Sequence, residues 1–189
     1  MRTIYIIHGW TGTPQNDWLP WLKKELEKRN WKVVVPEMPN TDAPVIEEWV
    51  NHLQNVVKEL NKDVFFIGHS IGCQAIMRYL LTKDEARVGG LVCVAGWFTL
   101  RDLESEEEER IAKPWLKTPI DFNKVKKAIK NIVAIFSDND PWVPFDENTN
   151  LFKKRLGAKV IKLHKKGHFS QDDGITKEAT ILQAILDIV

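Results

Sequence analysis

The feature that most constrains this chain is an alternation of short, branched apolar runs with longer stretches of helical period. Residues 4–7, 33–35, 64–67, 91–94, 132–136 and 160–163 are uniformly apolar or nearly so, and read as six buried strands. Between them, Leu19, Leu22 and Leu26 recur at helical spacing, as do Ile46, Trp49, Leu53, Val56 and Leu60. Ile175, Ala179, Leu182, Leu186 and Val189 form a last stripe, and 74–81 is a further helix. Parallel strands joined in sequence need crossovers, and the crossing helices must pack back onto the sheet. The expectation is a three-layer α/β architecture, a mostly parallel six-stranded sheet with helices on both faces. At 189 residues the chain suits one domain over residues 1–189. No internal repeat or long linker interrupts it.

One stretch, 97–123, breaks the alternation. It holds the acidic run Glu104-Ser105-Glu106-Glu107-Glu108-Glu109-Arg110, followed by Pro114 and Pro119. The run reads as a solvated helix face. Because it follows a strand at the edge where ligand loops emerge, it also reads as a small lid-like insertion over a pocket.

Charge narrows the class of partner. Lys and Arg total 27 against 26 Asp and Glu, without the positive excess that phosphate backbones or anionic membrane surfaces demand. No apolar run reaches membrane length, and the opening run is too short for a signal peptide. Two cysteines make no disulfide framework; Cys73 and Cys93 read as small core residues in a reducing compartment. A soluble, cytoplasmic protein with no nucleic-acid or membrane partner is expected. No His/Cys/Asp/Glu group has zinc spacing and no phosphate loop occurs, so neither metal nor cofactor is expected.

Residues Gly68-His69-Ser70-Ile71-Gly72 follow a strand and precede a helix. That is the setting of a G-x-S-x-G elbow, in which a sharp turn presents a serine at a helix N-terminus. The glycines are steric requirements, because side chains at 68 or 72 would strike the neighbouring strand and helix. A serine is a weak nucleophile until a base takes its proton. His168, in the loop after the last strand, is placed to be that base. A carboxylate should hold the imidazole. Asp140 and Asp138 both lie in the loop after the fifth strand, and the spacing alone leaves the choice between them open. If strands one and three are neighbours, their loops meet at the switch point of the sheet. The backbone N–H groups of Trp10 and Ile71 would then converge on one oxyanion. His8 reads as a residue that orients this loop. His69 is expected to point away from the site, and His52 and His164 carry no chemistry. Trp18, Trp97, Trp115 and Trp142 are candidates to wall an apolar pocket.

With these residues placed, the chain resembles the retinoblastoma-binding-protein-9 type of small serine hydrolase. The likeness runs nearly end to end: His8-Gly9-Trp10, Asp17-Trp18-Leu19-Pro20-Trp21-Leu22-Lys23-Lys24, Met38-Pro39-Asn40, the elbow, Arg78-Tyr79, Asp140-Pro141-Trp142-Val143-Pro144 and Gly167-His168-Phe169. The resemblance implies a minimal α/β-hydrolase fold, a triad of Ser70, Asp140 and His168, and small-molecule ester or amide substrates. The expected reaction is hydrolysis of carboxyl esters of small to medium acyl groups through an acyl-enzyme. The alternative is a hydrolase fold used to hold a protein partner, for which no binding peptide is recognisable; a lyase using the same triad is a further one.

Overall fold

The computed structural model describes residues 1–189. Strands β1 (Thr3–Ile7), β2 (Lys32–Val34), β3 (Val64–His69), β4 (Val88–Val94), β5 (Ile129–Ser137) and β6 (Lys159–Leu163) form one sheet in the order β2-β1-β3-β4-β5-β6. Every neighbouring pair is parallel, so the sheet is wholly and not just mostly parallel. Successive side chains of each strand serve opposite faces, as the period of two demands. Tyr5, Ile7, Phe66, Leu91, Cys93, Ala134 and Phe136 face one core. Ile4, Ile6, Phe65, Ile67, Val92, Val94, Val133 and Ile135 face the other. Both are buried, which explains the unbroken apolar runs.

Helices α1 (Leu19–Glu27) and α7 (Ala179–Leu186) cover the second face with Leu19, Leu22, Leu26, Ile181 and Ile185. The first face is covered by α2 (Ile46–Val56), α3 (Ile71–Leu81), α4 (Glu106–Lys117) and α5 (Phe122–Ala128). Helix α6 (Phe145–Leu151) runs on as a π-helical turn, Phe152–Leu156, and stops at Gly157 in the left-handed region, φ 66°. Two apolar stripes outrun their helices. Leu60 packs from a loop, because Val57 is already extended at ψ 106°. Ile175 likewise packs from a loop: the carboxylate of Glu178 accepts from Thr180 N at 3.0 Å and starts α7 four residues later than the stripe.

The irregular stretch 97–123 holds one helix, α4, between loops, and ends in the first residues of α5. The Ser105 hydroxyl accepts from Glu108 N and caps α4, and four glutamates follow in the first turn, where the peptide dipoles favour negative charge. Helices α5 and α6 carry no apolar stripe long enough to be legible in sequence.

Candidate active site

The loops after β1, β3, β4, β5 and β6 meet at the carboxyl edge of the sheet, around the point where chain order reverses between β1 and β3. They enclose a cavity of about 800 Å³ lined by Ser70, His168, Trp10, Trp97 and Trp142, with the start of α4 as an outer wall through Ser105, Glu107, Glu108 and Ile111.

Ser70 sits between β3 and α3 at φ 52°, ψ −124°, a conformation that side-chain-bearing residues rarely adopt. Such strain costs about 1–3 kcal/mol and persists only where the surroundings impose it. Here they do. A Cβ at Gly68 would lie 2.7 Å from Cys73 N, and one at Gly72 would meet the carbonyl oxygens of Ile7 and His8. The first collision is with helix α3 and the second with the end of β1, so the elbow closes only with glycine at both positions. Ile71 opens α3, and its N–H is one of the first-turn donors that no helical carbonyl reaches.

Asp140 and His168 are brought together. Asp140 Oδ2 lies 2.8 Å from His168 Nδ1, and the carboxylate is 3% exposed. A carboxylate only accepts, so Nδ1 carries a proton, and in the neutral ring the lone pair is on Nε2. The other oxygen, Oδ1, accepts from Trp142 N and Val143 N at 3.0 Å each. The Ser70 hydroxyl accepts a hydrogen bond from Trp97 Nε1 at 3.2 Å and makes none to His168.

Asp138 is employed elsewhere, and not within its own turn. Its Oδ2 lies 2.5 Å from His164 Nδ1 and its Oδ1 accepts from Lys165 N. The Lys165 backbone N–H and His164 hold its carboxyl below the usual range. It ties the β5 loop to the β6 loop, as Asn139 does by accepting from Gly167 N at 3.0 Å. This lacing delivers His168 to Asp140.

Three histidine and tryptophan expectations change. His69 faces the cavity: its Nε2 donates to the His168 carbonyl at 2.8 Å, and its Nδ1 lies 3.5 Å from Asp17 Oδ2. Burial alone would raise the Asp17 carboxyl, but His69 and the Gln171 backbone N–H bring it below its ordinary value. Trp18 walls no pocket; it is fully buried in the opposite core, edge-on to His69 at 5.8 Å. Trp115 is also core: its Nε1 donates to Pro44 O at 2.9 Å and its ring meets Trp49, which docks α4 on α2. Both indoles pack into the two cores on either face of the sheet and so are spent on burial, not on the cavity. His8 holds the β1 loop as expected. Met38 N donates to its Nε2, so Nδ1 carries the proton toward Gly9 O, and burial lowers its pKa.

Sequence reasoning missed Asp17, Asn139 and Asp173. Asp173 Oδ2 accepts from His168 N at 2.8 Å and holds the loop that carries His168. The Asp173-Gly174 pair marks a turn in sequence, but nothing local says which loop the carboxylate serves.

A six-stranded parallel sheet with a strained serine elbow, opposite a buried carboxylate–imidazole pair, defines an α/β hydrolase. Residues 4–185 match the sequence model of the serine hydrolase family, and the chain belongs to that family. It is 30% identical to YdeN of Bacillus subtilis over 177 residues, 93% of this chain and 90% of that one. It is 28% identical to serine hydrolase RBBP9 of Rattus norvegicus over 167 residues, 88% and 81% of the two chains. The crystal structure of the B. subtilis ydeN product superposes with a TM-score of 0.90 at 28% identity, covering 100% of this chain and 98% of that one. Est1E of Butyrivibrio proteoclasticus, solved with ferulic acid bound, shares the fold at a TM-score of 0.75 and 16% identity, covering 100% and 89%. No helix is long and apolar enough to cross a membrane.

Proposed function

We propose that this hydrolase cleaves carboxyl esters, and amides less readily, through an acyl-enzyme on Ser70. The observation that carries the reading is the buried Asp140–His168 hydrogen bond, which holds the proton of the neutral ring on Nδ1 and so makes Nε2 its basic nitrogen, in the cavity that Ser70 and His168 line. In this scheme Ser70 Oγ attacks the acyl carbon while His168 Nε2 takes its proton, and Asp140 holds the ring and the charge it gains. The N–H groups of Trp10 and Ile71 stabilise the oxyanion; that of Trp10 forms no hydrogen bond within the chain. His168 then returns the proton to the leaving alkoxide, and water repeats the sequence in reverse. Esters are favoured because an alkoxide leaves with less help than an amine.

Trp97 and Trp142 wall the cavity, and Trp142 stands edge-on to His168 at 5.2 Å. With α4 over the opening, as the lid of the 97–123 segment, the space suits small to medium acyl groups. No metal or cofactor enters this chemistry, and the two buried free cysteines accord with a cytoplasmic setting.

Labelling with a fluorophosphonate tests the reading. The wild-type protein should be labelled and should turn over p-nitrophenyl esters, whereas Ser70→Ala should fold, escape labelling and keep only about 10³-fold catalysis over water. A folded wild-type protein that takes no label, or a labelled Ser70→Ala variant, would overturn the assignment of the nucleophile.

A further inference from the structure

We propose that Trp97 is a catalytic residue as well as a wall, its indole N–H donating to Ser70 Oγ and acting chiefly when Ser70 leaves the acyl-enzyme. This rests on Ser70 being the nucleophile. An indole N–H donates and cannot accept, so Ser70 Oγ is the acceptor in the 3.2 Å contact. The serine proton remains free for the base. Trp97 is 1% exposed and Ser70 6%, so water competes little for this bond.

The donor is held by more than packing. Trp97 O accepts from Gln74 Nε2 at 3.0 Å, and Gln74 Oε1 accepts from Arg78 Nη2 at 3.0 Å. Arg78 Nη2 also donates to the carbonyls of Trp115 and Thr118 at the end of α4. On the other side, Phe98 N and Thr99 N both donate to Asn148 Oδ1. Gln74 and Arg78 are buried on α3, the helix that begins at the elbow, so nucleophile and donor hang on one rigid element. Burying an arginine and a glutamine is costly unless they are hydrogen-bonded. Gln74 spends its amide on the Trp97 carbonyl and on Arg78, and Arg78 Nη2 ties that amide to the end of α4, while Arg78 Nε has no partner.

The step that gains most follows from how Oγ changes. In deacylation, water bonds to the acyl carbon as His168 takes its proton. The carbon–Oγ bond then breaks, its electron pair goes to Oγ, and His168 returns the proton there. Before this step Oγ is an ester oxygen, a weak acceptor; as the bond breaks it becomes alkoxide-like, a strong one. A donor fixed on Oγ therefore binds the transition state better than the acyl-enzyme. In acylation the starting hydroxyl already accepts the same bond, and the difference is smaller.

The test replaces Trp97 by 3-benzothienylalanine, which keeps the ring shape and puts sulfur where the N–H was. With p-nitrophenyl acetate, whose good leaving group makes acylation fast, the variant should keep its burst. Steady-state kcat should fall about tenfold, as expected for a lost hydrogen bond to a charged oxygen. KM should fall with it, leaving kcat/KM within about threefold. Trp97→Phe should show the same split. Fluorophosphonate labelling of Ser70 should persist in both, which separates this inference from the nucleophile assignment. An unchanged kcat, a rise in kcat, or a loss in kcat/KM as large as that in kcat would overturn the proposal.

Discussion

Two aspartates only two positions apart in sequence show how much a single side chain's partners decide. Asp140 is 3% exposed and spends one oxygen on His168 and the other on two backbone N–H groups. Asp138 spends both of its oxygens on the β6 loop. Asparagine at 140 would keep the shape but turn an amide N–H toward His168, favouring the wrong tautomer; in the serine-protease precedent that costs about 10⁴ in kcat. Asp140→Asn is therefore expected to lower ester turnover by roughly 10²-fold or more, and Asp138→Asn by less than about 10-fold. Steady-state kinetics on folded variants checks the order, and the reverse order would move the acid to Asp138.

At the scale of elements, the His168 loop is tied to the helix that follows it. Glu178 is buried at the N-terminus of α7, with Oε2 2.8 Å from Lys166 Nζ and Oε1 accepting from Thr180 N. Burial alone would raise its pKa, but the Lys166 ammonium and the Thr180 N–H outweigh it and the carboxyl lies below its ordinary value. A carboxyl depressed on folding stabilises the fold above its unfolded value, near ~4.3, and that contribution is lost as pH falls through the folded value. Glu178→Gln keeps a cap acceptor but loses the ion pair. It should cost about 1 kcal/mol at pH 7, and the gap to wild type should close as pH drops below ~4. Urea midpoints at pH 7 and pH 3 measure this; a gap that stays constant with pH would assign the loss to packing.

On the scale of the whole molecule, charge is unevenly placed. The chain carries a net charge of +1, yet the cavity is lined by Asp17, Asp42, Glu107, Glu108, Asp172 and Asp173 and by no lysine or arginine. Carboxylates around a confined mouth repel anions over about a Debye length, 8–10 Å at moderate salt. A p-nitrophenyl ester whose acyl chain ends in a carboxylate should therefore show a kcat/KM about 10-fold below that of the neutral ester of equal length, with the gap narrowing as salt is raised. Equal rates at low salt would show that the acyl chain never meets this rim.

The layers, the parallel sheet and the elbow were legible in sequence because each has a local cause. Strands buried on both faces must be apolar at every position, and a turn that closes against Cys73 and Ile7 must carry glycine at 68 and 72. A histidine in the last strand's loop must arrive at the carboxyl edge by the same logic, but His164 and His168 both lie there, and only the packed loops bring His168 to Asp140 and His164 to Asp138. What each polar side chain binds was not legible. His69 turns into the site only because Trp18 fills the core beneath it and the His168 carbonyl lies within reach. Trp97 meets Ser70 and Trp115 does not because Gln74, Arg78 and Pro44 hold them in different places. Helices α5 and α6 are not legible in sequence because seven residues carry too little period to announce a face. Period and steric exclusion act between near neighbours and are written in sequence; hydrogen-bond partnership joins loops from different strands, and only the closed sheet decides which of them meet.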